Sequence, residues 1–346
     1  MTVCVSGVLL SSFCENYTLF ILCYGMLFGL GGGFMYTAPL IVGWSHYPAN
    51  RGRVTGIIMA AYGLTSMFFN IIATYLVNPD NLPPTIAVQS GLVTNHYFGQ
   101  EVADRVPYMI RCLAGIYMVL GCLGVVCMGN AAQSKDDPSA DQMTIKEGFC
   151  SPVYWKLCAA AFLSSSFSMY IAAAFKNFGS ERLSDDYFLA YVGSVSALVN
   201  GLSRLAWAES MDRLGAQMTY IILLVIQLLT SASLYYMATT RTAFMLYICL
   251  CFLNQGGHFV IFPAVCAKFF GKMTGAGLYA VLFNFFGLAS VAGYIIQKLF
   301  LSDIGYEYMF LILTAAGLGA LAIAFTIKEP EHLKSSLMEP LNAKAS

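Results

Sequence analysis

One arginine stands inside an otherwise apolar stretch: Arg204, with Asn200 one helical turn before it and Ser196 and Gly193 continuing the same face. A guanidinium stays charged at physiological pH and offers a planar fork of donors that matches a carboxylate, so Arg204 can hold a small anion without changing protonation. A charge at the centre of a bilayer costs about 2.5–3.5 kcal/mol on insertion scales, which makes an ionisable residue there a functional candidate. His258 is the only histidine within an apolar run, with Asn254 one turn earlier. Its imidazole changes charge near neutral pH and can carry a coupling proton. Asn284, Tyr62, Tyr36, Ser164, Ser168 and Tyr191 are further cavity polars, each of which can equally serve as an interhelical hydrogen bond. For Arg204 the alternative is a structural arginine paired with Glu209 or Asp212, or one that snorkels to the surface. For His258 it is a packing histidine.

The composition narrows the chemistry. Of 346 residues, 58% are hydrophobic and 10% charged, against roughly 25% charged in a soluble chain. A soluble globular enzyme is excluded, and lipid is the implied partner. Eighteen Lys+Arg balance eighteen Asp+Glu, so the basic footprint of a nucleic-acid binder is missing. The eleven Cys lie singly in apolar runs, apart from Cys249 and Cys251, and read as small buried hydrophobes. No catalytic nucleophile, metal-ligand set or cofactor loop is expected. Gly29-x-Gly31 has no preceding strand, and Gly25, Gly29 and Gly33 instead have the spacing that lets helices approach closely.

A bilayer core about 30 Å thick needs about 20 mostly apolar residues per helix. Ten candidate spans emerge, near 1–14, 17–44, 53–77, 107–130, 153–175, 187–210, 218–239, 243–267, 274–299 and 304–327. Segments 78–106 and 131–152 are too polar to cross. With the N-terminus inside, eleven Lys and Arg fall on the cytoplasmic side and six outside. The excess puts both termini in the cytosol, with 78–106 outside. The first run lacks the positive n-region and cleavage site of a signal peptide. Lys176 reads as an interfacial anchor, and Asn16-Tyr17-Thr18 is a sequon too close to a helix for use.

The chain also repeats itself. Gly32-Gly33 precede Pro39 by seven and six residues, and Gly256-Gly257 precede Pro263 by the same offsets. Tyr62-Gly63-Leu64 with Ser66 follows the first Pro as Phe286-Gly287-Leu288 with Ser290 follows the second, every pair being 224 residues apart. Two halves repeated in parallel form a transporter architecture with its substrate site at their interface. Shifting the second half back by 224 places the start of the first about 70 residues before Met1. The expectation is therefore a start-site error or truncated product, with ten helices present of twelve. Pro39 and Pro263 are expected to kink their helices.

Twelve helices in two parallel halves resemble the major facilitator superfamily. Asp212-Arg213-Leu214-Gly215 looks like the D-R-x-G core of its cytoplasmic loop motif, with Ala208 for the leading Gly and Ala216-Gln217 for the trailing basic pair. Asp212 and Arg213 can then form an interhelical ion pair that one state keeps and another breaks. Gly29 to Pro39, followed by Trp44, Pro48, Arg51-Gly52-Arg53 and Gly56, is similar to the oxalate/formate antiporter and monocarboxylate transporter branch. So are Gly256-Gly257 with Pro263, Phe270-Gly271 and Tyr279.

The resemblance implies an all-α polytopic bundle. Residues 1–130 form a partial N-terminal half (helices 3–6), 131–152 a cytoplasmic central loop, 153–327 the C-terminal half (helices 7–12) and 328–346 a cytoplasmic tail. It implies that Arg204, in the eighth helix, binds carboxylate; the Asp that precedes this Arg in monocarboxylate transporters is Asn200 here. It also implies, for oxalate-type antiporters, a Lys near position 286, where this chain has Phe286 and no Lys or Arg from Met273 to Gln297. One cation suits a monocarboxylate. The expected function is alternating-access transport of small carboxylates, with a proton or counter-anion as the coupled partner, in the plasma membrane or an organelle membrane. The rivals are a carrier of another solute, such as a sugar or amino acid, and a non-transporting membrane sensor.

Overall fold

The computed structural model describes residues 1–36, 38–47, 50–80, 82, 84–90, 93–128, 143–183 and 185–327. Most of the central loop and the whole 328–346 tail lie outside the described residues.

Helix α1 (Thr2–Ser11) has ten residues, too short at 1.5 Å per residue to cross a bilayer. It lies against the π-helical turn Ile21–Leu27, where a Cβ on Gly7 would stand 2.7 Å from the Cys23 carbonyl. Helices α2 (Tyr17–Phe20), α3 (Phe28–Tyr36) and α4 (Ala38–His46) make up, with that turn, one apolar run over Tyr17–His46. The Asn16 carboxamide oxygen caps α2 by accepting from the Thr18 amide at 2.8 Å. Helix α5 (Arg51–Val77) follows the expected span.

The two polar segments are not plain loops. Ile86–Ser90 (β1) and Val93–Tyr97 (β2) pair antiparallel as a hairpin, Ile86 opposite Tyr97; alternating β-branched residues favour strand where no bilayer demands helix. Helix α6 (Gln100–Cys127) begins seven residues before its apolar run, its polar first turns held by Arg105 bonding Asp80 at 2.8 Å and Glu101 at 3.2 Å. Helix α7 (Ile145–Cys150) is nucleated by a capping box between Thr144 and Glu147.

The second half consists of α8 (Pro152–Leu183), α9 (Asp186–Leu214), α10 (Ala216–Met237), α11 (Arg241–Phe270) and α12 (Lys272–Thr326). Asp185 and Thr240 cap α9 and α11 by accepting from the Phe188 and Ala243 amides. Gly305, with φ at 68°, breaks α12 into two arms, a backbone state that costs glycine nothing. The arms correspond to the expected spans 274–299 and 304–327. With α1 too short and the arms in one element, the described residues contain eight helices long and apolar enough to cross a membrane.

The main apolar core lies within the second half, around Tyr154, Phe262, Leu278 and Tyr279. A separate cluster of Leu40, Trp44, Met59, Ala208, Val260 and Ala276 joins α4 and α5 to α9, α11 and α12. There Trp44 Nε1 donates to Thr55 Oγ1 at 2.9 Å.

Candidate functional site

Helices α5 and α9 meet along a seam of small residues. A Cβ on Gly63 would stand 2.7 Å from the Gly201 Cα, one on Gly56 would collide with Ala208, and one on Gly52 would stand 2.6 Å from an Asp212 carboxylate oxygen. Because hydrocarbon gives helices no hydrophobic reason to associate in lipid, close backbone approach across small residues supplies the contact energy. On the other side of α9, Gly256 of α11 meets Ser203 and the Asn200 carbonyl, 2.6 Å from where its Cβ would be. The seam brings Arg204 among all three helices.

Arg204 is 6% exposed. Its Nη1 donates to the Met59 carbonyl of α5 at 2.5 Å and its Nη2 to Asn200 Oδ1 at 2.9 Å. Its Cζ lies 4.9 Å from the centre of the Phe259 ring on α11, a cation–π contact. Nε has no hydrogen-bond partner among the described residues. Neither Glu209 nor Asp212 pairs with Arg204: Glu209 bonds Arg213 at 2.8 Å within α9, and Asp212 lies against Gly52 at the start of α5.

Asn200 is oriented by its neighbours. Its Nδ2 donates to the Phe252 carbonyl at 2.9 Å and to Gln255 Oε1 at 3.2 Å, so its oxygen must face Arg204. Gln255 is the residue that sequence reasoning missed. Its signal was the run Asn254-Gln255-Gly256-Gly257, polar residues beside a glycine pair inside an apolar span.

An aromatic wall stands beside the guanidinium. Tyr36 donates its hydroxyl to Met59 Sδ at 3.0 Å and accepts one from Tyr279 at 3.4 Å. Its ring lies 4.8 Å from Phe283 and 5.4 Å from Tyr62. Phe286, where a second cation is expected in an oxalate carrier, packs at 5.6 Å from both Phe259 and Phe283. One fixed cation against an aromatic wall can orient a small anion by its charge and shelter a short apolar tail.

The remaining candidates divide. Asn254 and His258 are buried four residues apart on α11, the His258 ring 6.4 Å from Phe262 of the same helix, and register turns them away from Gly256 and Phe259, which meet Arg204. Asn284 is exposed and bonds its own helix at Ala280 and Val281. Tyr62 is 40% and Tyr191 60% exposed, while Ser164 and Ser168 are buried in the second half. Gly215, at φ 82°, forms the corner between α9 and α10. Arg213 pairs inside its own helix, and Asp212 has Arg53 and Lys268 within charge range. The Arg51 side chain lies outside the described residues. Among the described residues no three His, Cys, Asp or Glu come together as a metal site.

A family model described as Major Facilitator Superfamily matches residues 1–285 and 157–345. The chain is 25% identical over 316 residues to apicoplast pyruvate carrier 1 of Toxoplasma gondii, covering 78% of this chain and 57% of that protein. It is 26% identical over 290 residues to an uncharacterised MFS-type transporter, YhjX, of Escherichia coli, covering 82% and 66%. To the oxalate:formate antiporter of Oxalobacter formigenes it is 21% identical over 300 residues, covering 86% and 67%. The matches thus span between about half and two thirds of these relatives' own lengths.

Proposed function

From the premise that this chain belongs to the Major Facilitator Superfamily, and is therefore a multi-pass membrane protein of a transporter family, we propose that it carries small carboxylates, and monocarboxylates such as pyruvate, lactate or formate in particular. The observation that carries the reading is Arg204: buried, anchored at both Nη atoms, with Nε unpartnered beside the Phe259 wall. An anion that reaches it replaces lost hydration with charge-assisted donors, which are roughly twice as strong as neutral ones. The bond to Met59 links the halves, so an anion that competes for Nη1 loosens one contact between them and biases rocking. The single cation, with Phe286 at the second position, fits one carboxylate rather than two. A co-transported proton or an exchanged anion balances the charge, and the distribution of Lys and Arg supports cytosolic termini. A pyruvate carrier and an oxalate:formate antiporter among the relatives support the substrate class.

The test is uptake of labelled pyruvate, lactate, formate and oxalate into proteoliposomes. Arg204→Gln is expected to lose at least about tenfold in uptake while unfolding at a similar temperature, since tenfold corresponds to about 1.4 kcal/mol. Arg204→Lys, which keeps charge but not the fork, is expected to recover a fraction. Normal transport by folded Arg204→Gln would sink the reading.

A further inference from the structure

On the far side of α11 from Arg204, helices α8, α10 and α11 carry buried polar side chains that helix register places at one level. Gln227 Oε1 on α10, and both Asn254 amide atoms and His258 Nε2 on α11, have no hydrogen-bond partner among the described residues, and Ser164 Oγ on α8 has the Tyr220 hydroxyl beside it. All four residues are buried, at 2%, 1%, 0% and 0% exposed respectively. Their proximity follows from the contacts between the helices and from helix register. Gln227 Nε2 donates to the Ser164 carbonyl at 2.7 Å, which ties α10 to α8. Leu223 lies against Gly257, and the Tyr220 ring lies 5.4 Å from Phe262. Along this antiparallel pair, one more turn carries α10 to Gln227 and α11 back to Asn254.

The donor and acceptor balance identifies the ligand. His258 Nδ1 lies 2.9 Å from the Asn254 carbonyl. A carbonyl only accepts, so Nδ1 carries a proton, and a neutral ring leaves Nε2 as an acceptor. The cluster therefore presents three acceptors (Nε2, Asn254 Oδ1 and Gln227 Oε1), the Ser164 hydroxyl, and a single amide donor group. A buried acceptor left without a donor is costly, so a ligand rich in donors is called for. A cation would need a counter-charge, because an uncompensated buried ion costs several kcal/mol. The sequence has no acidic residue between Asp212 and Asp303, and the one acid of α8, Glu181, lies seventeen residues past Ser164, about 25 Å along the helix. The other buried titratable groups of these helices are Tyr154 and Tyr170 of α8, Tyr220, which donates to the Ala160 carbonyl at 3.2 Å, and the thiols Cys158, Cys251 and Cys266. None supplies a negative charge by pairing.

We propose that bound water occupies this cluster, donating to His258 Nε2 and to the Asn254 and Gln227 carboxamide oxygens, and so joins α8, α10 and α11 into one hydrated body. Water brings two donors and two acceptors without charge, and buried waters typically make about three hydrogen bonds. His258 is then a neutral water-binding residue, and whatever balances the transported anion does so elsewhere. This inference is independent of the Arg204 reading.

The decisive experiment is a structure of the full chain in lipid nanodiscs at a resolution that shows ordered water. Density within hydrogen-bonding distance of His258 Nε2 and a carboxamide oxygen is expected; a dry, closed-up cluster would overturn the proposal. Thermal unfolding of Asn254→Leu, His258→Leu and the double variant adds a second arm. If one water network joins the residues, the second substitution costs less than it does alone, whereas additive shifts count against it. Stabilisation by sodium over choline that vanishes in the double variant would replace water with a cation. Finally, His258→Gln is expected to keep the wild-type pH profile of uptake, and a flattened profile would reject a neutral histidine.

Discussion

The two copies of the repeat share their glycine pairs and their prolines yet live in different surroundings. A Cβ on Gly256 or Gly257 would collide with α9 or α10, whereas Gly32 and Gly33 have nothing within 4 Å among the described residues. Pro263 sits inside α11, but Pro39 is the second residue of α4, where a missing N–H is tolerated. The most apolar window of Pro152–Leu183 is 67% buried and that of Tyr17–His46 only 6%. The same local signature therefore does different physical jobs, because a glycine's value in a membrane helix depends on what approaches it.

Three substitutions sharpen that contrast. Gly256→Val is expected to have the largest effect, abolishing uptake and destabilising the protein by about 1–3 kcal/mol through overpacking against Asn200 and Ser203. Gly32→Val should leave both nearly unchanged, and equal damage from the two in uptake and thermal unfolding would erase the distinction. An intermediate effect is expected at Gln255, whose counterpart in the first copy is Gly31. Gln255→Leu frees Asn200 to turn and should raise the KM for carboxylate several-fold with little change in maximal rate; an unchanged KM would remove Gln255 from the site.

The smallest effect belongs to the segment between the halves. Bonds from the Thr144 amide and hydroxyl hold the exposed Glu147 carboxyl below its ordinary value. A depressed folded value stabilises above the unfolded pKa, and the contribution is lost as pH falls through the folded value. Thr144→Ala should therefore lower the unfolding temperature by a degree or two at neutral pH, with the gap to wild type closing in acid. A gap that is constant with pH would mean that Thr144 stabilises the helix without its bonds to the Glu147 carboxylate.

Much of the fold was legible because a bilayer imposes a length and polarity rule on every crossing segment. That rule governs hydrocarbon and not water, so the hairpin at Ile86–Tyr97 and helix α7 had to be sought in other signals. Alternating β-branched residues marked the first and Thr144 with Glu147 the second. The division of α12 was legible as the gap between the spans 274–299 and 304–327, but not that it is made at Gly305, since a positive φ leaves no trace beyond the glycine itself.

For the site, residue type was enough to single out Arg204, because a permanent charge in an apolar span is costly wherever it points. Of its partners, Asn200 was readable from the helical spacing, but the Met59 carbonyl was not. The Met59 carbonyl is 145 positions away, every helix residue has such a carbonyl, and no side-chain pattern marks the one chosen. Likewise, the four-residue spacing of Asn254 and His258 put them on one helical face, but not on the face opposite Arg204. Periodicity gives relative angle along one helix, whereas its absolute rotation is set by packing against neighbours, here the glycine contacts of α5, α9, α10 and α11.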